Sequence, residues 1–159
     1  MQPEPVCFVV PTHSERRPDL DQFAILPHLR DLAIAYALAF PIGWEREQAA
    51  RSAGLRTFPL VAIASCGFVQ ATEGLLRSEP AAMARIVEGI VTGIGFIGGG
   101  AIRKGQSSVH GTATAAALWA TGAIGIAVGL GVYDVAVVIA AITVVTLRLH
   151  GSDKDGQKD

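Results

Sequence analysis

A polytopic, all-α membrane bundle of about five helices, or four if the first lies in the interface, is the fold class that the sequence predicts. Two observations carry it. The 159 residues are 50% hydrophobic and only 17% charged, whereas charged residues make up about a quarter of an ordinary globular sequence. The charges are also unevenly spread, because only Glu73, Arg77, Glu79, Arg85, Glu88, Arg103, Lys104 and Asp134 fall between residues 57 and 147. Their spacing leaves apolar runs close to the roughly 20 residues that a membrane-crossing helix needs.

Five segments follow in order. The first, 27–44, has a charge-free core from Leu32 and is the weakest span. The second, 57–76, is charge-free to Thr72; the third, 82–102, holds Glu88. The fourth, 112–130, belongs to a charge-free stretch from Gly105 to Tyr133, and the fifth, 132–149, has its apolar core after Asp134. The short link at 129–134 makes the last two a tight hairpin. Residues 1–26, with Pro3, Pro5, Pro11 and Pro18, are expected to form a polar, loosely attached or disordered tail. The membrane domain is thus 27–149, and 150–159 is a solvated tail. Arg16-Arg17 precedes Pro-Asp-Leu-Asp, not an apolar core, which argues against an export signal.

Cytoplasmic loops hold the excess of Lys and Arg. With five spans one side collects Arg16, Arg17, Arg30, Arg77 and Arg85, and the other Arg46, Arg51, Arg56, Arg103, Lys104, Arg148, Lys154 and Lys158. The second side is therefore expected inside, with the N-terminus outside and the C-terminus in the cytoplasm.

Lipid gives helices no hydrophobic reason to associate, so small residues must let backbones approach. Gly89, Gly93, Gly95, Gly98 and Gly99 in the third segment, and Gly125 and Gly129 in the fourth, are the expected packing positions, which makes these two segments the expected central pair. The run Gly98-Gly-Gly100 suggests a broken or irregular helix end. Gly93-Ile-Gly95-Phe-Ile-Gly98 matches a dinucleotide fingerprint literally, but no acid follows between Gly105 and Tyr133 to hold a ribose. Neither nucleotide nor nucleic acid is an expected partner, since a net charge of −1 offers no basic face. Cys7 and Cys66 form no metal knuckle, and His13, His28, His110 and His150 lack zinc-ligand spacing.

Ionisable groups at membrane depth are functional candidates by default. Glu88, with Thr92 one turn on, is one. Asp31 and Asp134 each stand near a helix start, where a near-cap acid is the plainer reading. The densest cluster is the link Gly43-Trp-Glu-Arg-Glu47 and Gly54-Leu-Arg-Thr57. There Glu45 and Glu47 could offer the oxygen ligands that Mg²⁺ takes, or could be neutralised by Arg46 and Arg56, with Trp44 as an interface anchor. Arg46, Arg56 and Thr57 would position this loop. The metal, if any, is left open, no other cofactor is expected, and no nucleophile, base and oxyanion set assembles into a catalytic site.

Gly43-Trp-Glu-Arg-Glu47, Gly54-Leu-Arg-Thr57, Thr92-Gly-Ile-Gly-Phe-Ile-Gly-Gly-Gly-Ala-Ile102 and Thr114-Ala-Ala-Ala-Leu-Trp119, in this order and spacing, resemble the MgtC/SapB/YhiD membrane-protein family over residues 28–148. The resemblance implies a multi-pass bacterial inner-membrane protein linked to magnesium homeostasis and adaptation to low Mg²⁺, in a family associated with virulence. The sequence departs from the family pattern at Phe58, where His or Asn is frequent, at Glu88, near which Gln is common, and at His110-Gly-Thr-Ala-Thr-Ala. It ends nine residues past His150, where some members continue into a soluble domain. An accessory or regulatory role without catalysis is the expected function, with membrane lipid and either a membrane-protein partner or a homo-oligomer as partners. The alternative is an oligomeric transporter or channel for Mg²⁺ or another ion.

Overall fold

The computed structural model describes residues 25–50, 54–76, 79–105 and 108–151. They form five helices, α1 (Ile25–Ala50), α2 (Thr57–Leu76), α3 (Pro80–Ala101), α4 (Thr112–Gly129) and α5 (Tyr133–Gly151). A two-residue antiparallel ribbon, β1 (Arg103–Lys104) with β2 (Val109–His110), lies between α3 and α4 and pairs Arg103 with His110. α1, α3 and α4 are long and apolar enough to cross a membrane, and α2 and α5 match them with 20 and 19 residues. The chain is a membrane protein built as a helical bundle. The expected polar tail at 1–26 lies outside the described residues except for its last two positions, which begin α1, and most of the tail at 150–159 lies outside them too.

The centre of the bundle is α4. Its buried residues, among them Thr114, Leu118, Thr121, Ile124, Ala127 and Val128, cover more than half of the helix circumference, while Trp119 stands exposed on the remaining face. The other helices each bury one stripe: Ala35, Ala39 and Ile42 on α1, Phe58, Ala62, Cys66 and Val69 on α2, Ala136 and Ala140 on α5. These positions recur at three- and four-residue intervals, the spacing of one helix face. On α3 only Ile94 and Gly98 are buried. The expected α3–α4 central pair is therefore corrected: α4 packs most extensively on α2, and α3 is a flank.

Glycine decides this arrangement. A Cβ on Gly125 would run into the Ala62 carbonyl and the Ser65 side chain of α2, and one on Gly129 would meet Val69 and the Cys66 carbonyl. Gly98 faces Ala115 across the α3–α4 contact, and Gly122 gives its place to the Ile94 side chain. By contrast a Cβ on Gly89, Gly93, Gly95 or Gly99 would meet nothing within 4 Å, so these four are not packing positions within the chain. Nor is the glycine run a break: α3 stays helical through Gly98, Gly99 and Gly100 and ends at Ala101, where the Ile102 N–H donates to the Gly99 carbonyl at 3.1 Å.

The ends of the helices are set locally. Pro80 opens α3, a position where its missing N–H is no loss. Gly111 enters α4 at φ 90°, pressed against the Ala101 carbonyl. After α4, Gly131 at φ 75° closes a Schellman turn, its N–H donating to the Val128 carbonyl at 3.0 Å and that of Val132 to the Ala127 carbonyl at 2.8 Å. That turn is the tight α4–α5 hairpin expected from the sequence.

Replacing Gly125 with Leu should lower the Tm of the purified protein by the equivalent of at least 1–3 kcal/mol, roughly the range for overpacking a core. Gly93→Ala should leave it unchanged or slightly higher, as read by thermal unfolding in detergent.

Candidate functional site at the polar ends of the bundle

The helix α1 continues six residues past Trp44, because Glu45, Arg46, Glu47, Gln48, Ala49 and Ala50 are good helix formers that need no lipid. Glu45 and Glu47 therefore stand on a helix instead of in a loop, and two residues apart they leave it in nearly opposite directions. The Arg148 Nε on α5 donates to the Glu45 Oε1 at 2.7 Å, while the Leu55 backbone N–H donates to the Glu47 Oε2 at 2.7 Å. Gly54 makes room for the Glu47 side chain, and Gly43 lies against Gly54 and Phe58. The two carboxylates thus fasten α1 to different neighbours, one to α5 and one to the turn before α2.

Between them Arg46 turns inward. Its Nη2 donates to the Thr114 Oγ1 in the first turn of α4 at 3.1 Å, and its Nε is buried with no hydrogen-bond partner among the described residues. Thr114 itself is fully buried. A half-buried guanidinium is thus held at the positive end of a helix, with no ion pair to it among the described residues. Arg56 is exposed, immediately before Thr57, the first residue of α2; the Thr57 and Phe58 N–H groups donate to the Gly54 carbonyl at 3.0 and 3.3 Å. In the ribbon, Ser108 Oγ and His110 Nε2 lie 2.7 Å apart.

At the opposite end Asp31 is the hub. It is 9% exposed and lies inside α1, which begins at Ile25, so its reading as a near-cap acid is corrected. Arg30 Nε and the Tyr133 hydroxyl donate to Asp31 Oδ1 at 2.8 and 2.9 Å, and Gln70 Nε2 donates to Oδ2 at 3.0 Å. The Arg30 Nη2 also donates to the Tyr133 hydroxyl at 2.9 Å. One carboxylate so joins α1, α2 and α5. Asp134, in the first turn of α5, is exposed.

Glu88 belongs to neither cluster. It is exposed on α3, and the Thr92 hydroxyl donates to the Glu88 backbone carbonyl at 2.8 Å, not to its carboxylate. The candidate residues therefore divide into Glu45, Arg46 and Glu47 at one end, Asp31 at the other and Glu88 with Thr92 on the flank. Gln70, Thr114, Tyr133 and Arg148 were not singled out as site residues. Gln70 had a signal, being the one amide in the apolar run of α2; the reach of Arg148 to Glu45 had none.

The profile of the MgtC family matches residues 32–152. The chain is similar to the protein SrpB of Synechococcus elongatus, 35% identical over 73% of this chain and 70% of that one. It is also similar to the protein MgtC of Salmonella typhimurium, 38% identical over 70% of this chain and 47% of that one, and to the protein MgtC of Brucella abortus, 42% identical over 67% and 44%. It spans about half the length of these two MgtC proteins. No solved structure matches it.

Asp31→Ala should destabilise the protein by about 1–3 kcal/mol, because it takes the shared acceptor from Arg30 and from the half-buried Gln70 and Tyr133. Glu45→Ala, which breaks a pair whose Arg148 side chain is 65% exposed, should change stability by less than about 1 kcal/mol. Denaturation of both variants in one detergent checks the order.

Proposed function

The chain belongs to the MgtC family, and from that premise we propose that it is an inner-membrane accessory or regulatory protein of bacterial adaptation to low magnesium. In this reading it catalyses no reaction and carries no ion through its own bundle. The N-terminus lies outside and the C-terminus in the cytoplasm, which puts the Glu45–Arg46–Glu47 end inside and the Asp31 end outside. The link to magnesium comes from the family resemblance.

The observation that carries the rest is the filled middle of the bundle. Between the Asp31 hub and the Arg46–Thr114 contact, the interior is occupied by Ala35, Ala39, Ala62, Cys66, Leu118 and Ile124, all buried at 1% exposure or less. The Thr121 hydroxyl, buried among them, donates back to the Ala117 carbonyl at 2.8 Å. A hydrated Mg²⁺ keeps several waters and needs oxygen ligands, and this layer supplies neither space nor donors. The polar ends act as clamps that fix the helix ends and present a charged cytoplasmic surface to a membrane-protein partner.

The second reading, transport by an oligomer, draws on Glu88. It stands on the exposed face of α3 beside glycines with open space in front of them, so an ion path would have to form between copies.

Proteoliposomes holding the purified protein and an entrapped Mg²⁺ indicator should take up Mg²⁺ no faster than empty liposomes, beside a known Mg²⁺ channel as working control. Flux lost in Glu88→Gln would overturn the accessory reading. A C-terminal fusion to a fluorescent protein should be bright and one to a periplasmic phosphatase inactive; the reverse pattern would invert the orientation.

A further inference from the structure

The loose attachment of α3 leaves a groove between it and α2, with a volume of about 790 Å³. That is within the roughly 300–1,000 Å³ of sites that hold one small molecule. Leu60, Val61, Ala64 and Phe68 of α2 form one wall, and Ile86, Ile90, Ile94 and Ile97 of α3 the other. Thr72, also in the lining, donates its hydroxyl to the Phe68 and Val69 carbonyls at 3.0 Å, so its polarity is spent within α2. Gly89 and Gly93 widen the groove, since side chains there would have space before them.

Its two ends are different in character from its walls. Arg56 lines the groove at the start of α2 and Arg85 lines it near the start of α3. Because α2 and α3 are consecutive and joined by a short link, they run antiparallel, and the two arginines lie at opposite ends. From Thr57 to Thr72 the groove follows α2 for about 22 Å at 1.5 Å per residue, more than one leaflet of a hydrocarbon core roughly 30 Å thick. Neither arginine is in an ion pair among the described residues. Arg103 and Lys104, exposed just beyond the end of α3, add positive charge at the Arg56 end.

An apolar channel of acyl-chain length, open to the bilayer and ending at the exposed Arg56 side chain, is complementary to one class of molecule. We propose that this groove is a binding site for a single phospholipid, with an acyl chain between α2 and α3 and the phosphate on Arg56. The site goes beyond the accessory role and does not rest on it, because it requires only that the bundle lie in a membrane. A helix of a second copy is the competing occupant; it would satisfy Arg56 only where one of its exposed carboxylates reached that end of the groove, whereas a phospholipid brings acyl chain and anionic phosphate in one molecule.

The test is native mass spectrometry of the full chain, purified in detergent and titrated with phosphatidylglycerol. The wild type should keep one phospholipid per chain. Gly93→Leu, whose Cβ would meet nothing within 4 Å and whose side chain would fill the groove, should lose it while keeping the wild-type Tm, and Gly89→Leu should do the same. Arg56→Gln should weaken retention about tenfold, equivalent to about 1.4 kcal/mol and within reach of one charge-assisted hydrogen bond, while Arg85→Gln should leave it within about twofold. A wild type that is lipid-free, a filled groove that still holds lipid, or a dimer that Gly93→Leu converts to lipid-free monomers would each overturn the proposal. Equal weakening by Arg56→Gln and Arg85→Gln would overturn the assignment of the phosphate to Arg56.

Discussion

The approach of α4 to α2 at Gly125 and Gly129 is the constraint on which the other contacts depend. Two helix backbones meet there with no side chain between them on α4, and the Ala62 and Cys66 carbonyls lie where a Cβ would be. In lipid such closeness is what makes association favourable, since burying an apolar side chain against another helix instead of against acyl chains yields little. Once α4 is seated on α2, α1 and α5 close around it with alanine-rich faces, and their narrow stripes suffice because the distances are short. The flank is held differently: α3 rests on α4 through Ile94 in the space left by Gly122 and through Gly98 on Ala115.

Polar groups then pin what the small residues bring together. Asp31 accepts from three side chains drawn from α1, α2 and α5, a use of a carboxylate that is worthwhile only where water is scarce and each bond is correspondingly strong. At the other end Glu45, Arg46 and Glu47, consecutive or nearly so, reach α5, α4 and the turn before α2. Consecutive residues on a helix fan out by about 100° each, so the charged triplet in the Gly43–Glu47 motif makes three separate attachments instead of one ion site. A motif dense in charge in the sequence is dispersed in space by the helix that carries it.

Much of this was legible beforehand, and the failures have a common cause. Apolar run length gave five helices with bounds close to those observed, because length is a property of one segment. Charge patterning misplaced the end of α1, where the helix outlasts its apolar run from Glu45 to Ala50. Spacing could not rank the glycines: Gly89 and Gly93 have the same four-residue interval as Gly125 and Gly129, yet only the second pair has a neighbour. In a soluble bundle the polar face of each helix would have told the two apart. Here lipid and protein interior are equally apolar, so periodicity carries little information about which side is inside. For the same reason Asp31 read as a terminal acid, since its donors Gln70 and Tyr133 are 39 and 102 positions away.

The position of α4 also bears on how the chain is built. It follows α1, α2 and α3 in the chain, yet it packs against each of them and against α5. When α1, α2 and α3 have entered the bilayer, the faces carrying Ala39, Ala62 and Ile94 still have lipid where α4 will stand. α1 and α2 can meet before it, since Gln70 reaches Asp31 and the Leu55 N–H reaches Glu47, but the bundle is completed only when the α4–α5 hairpin, turned back sharply at Gly131, takes its place among them.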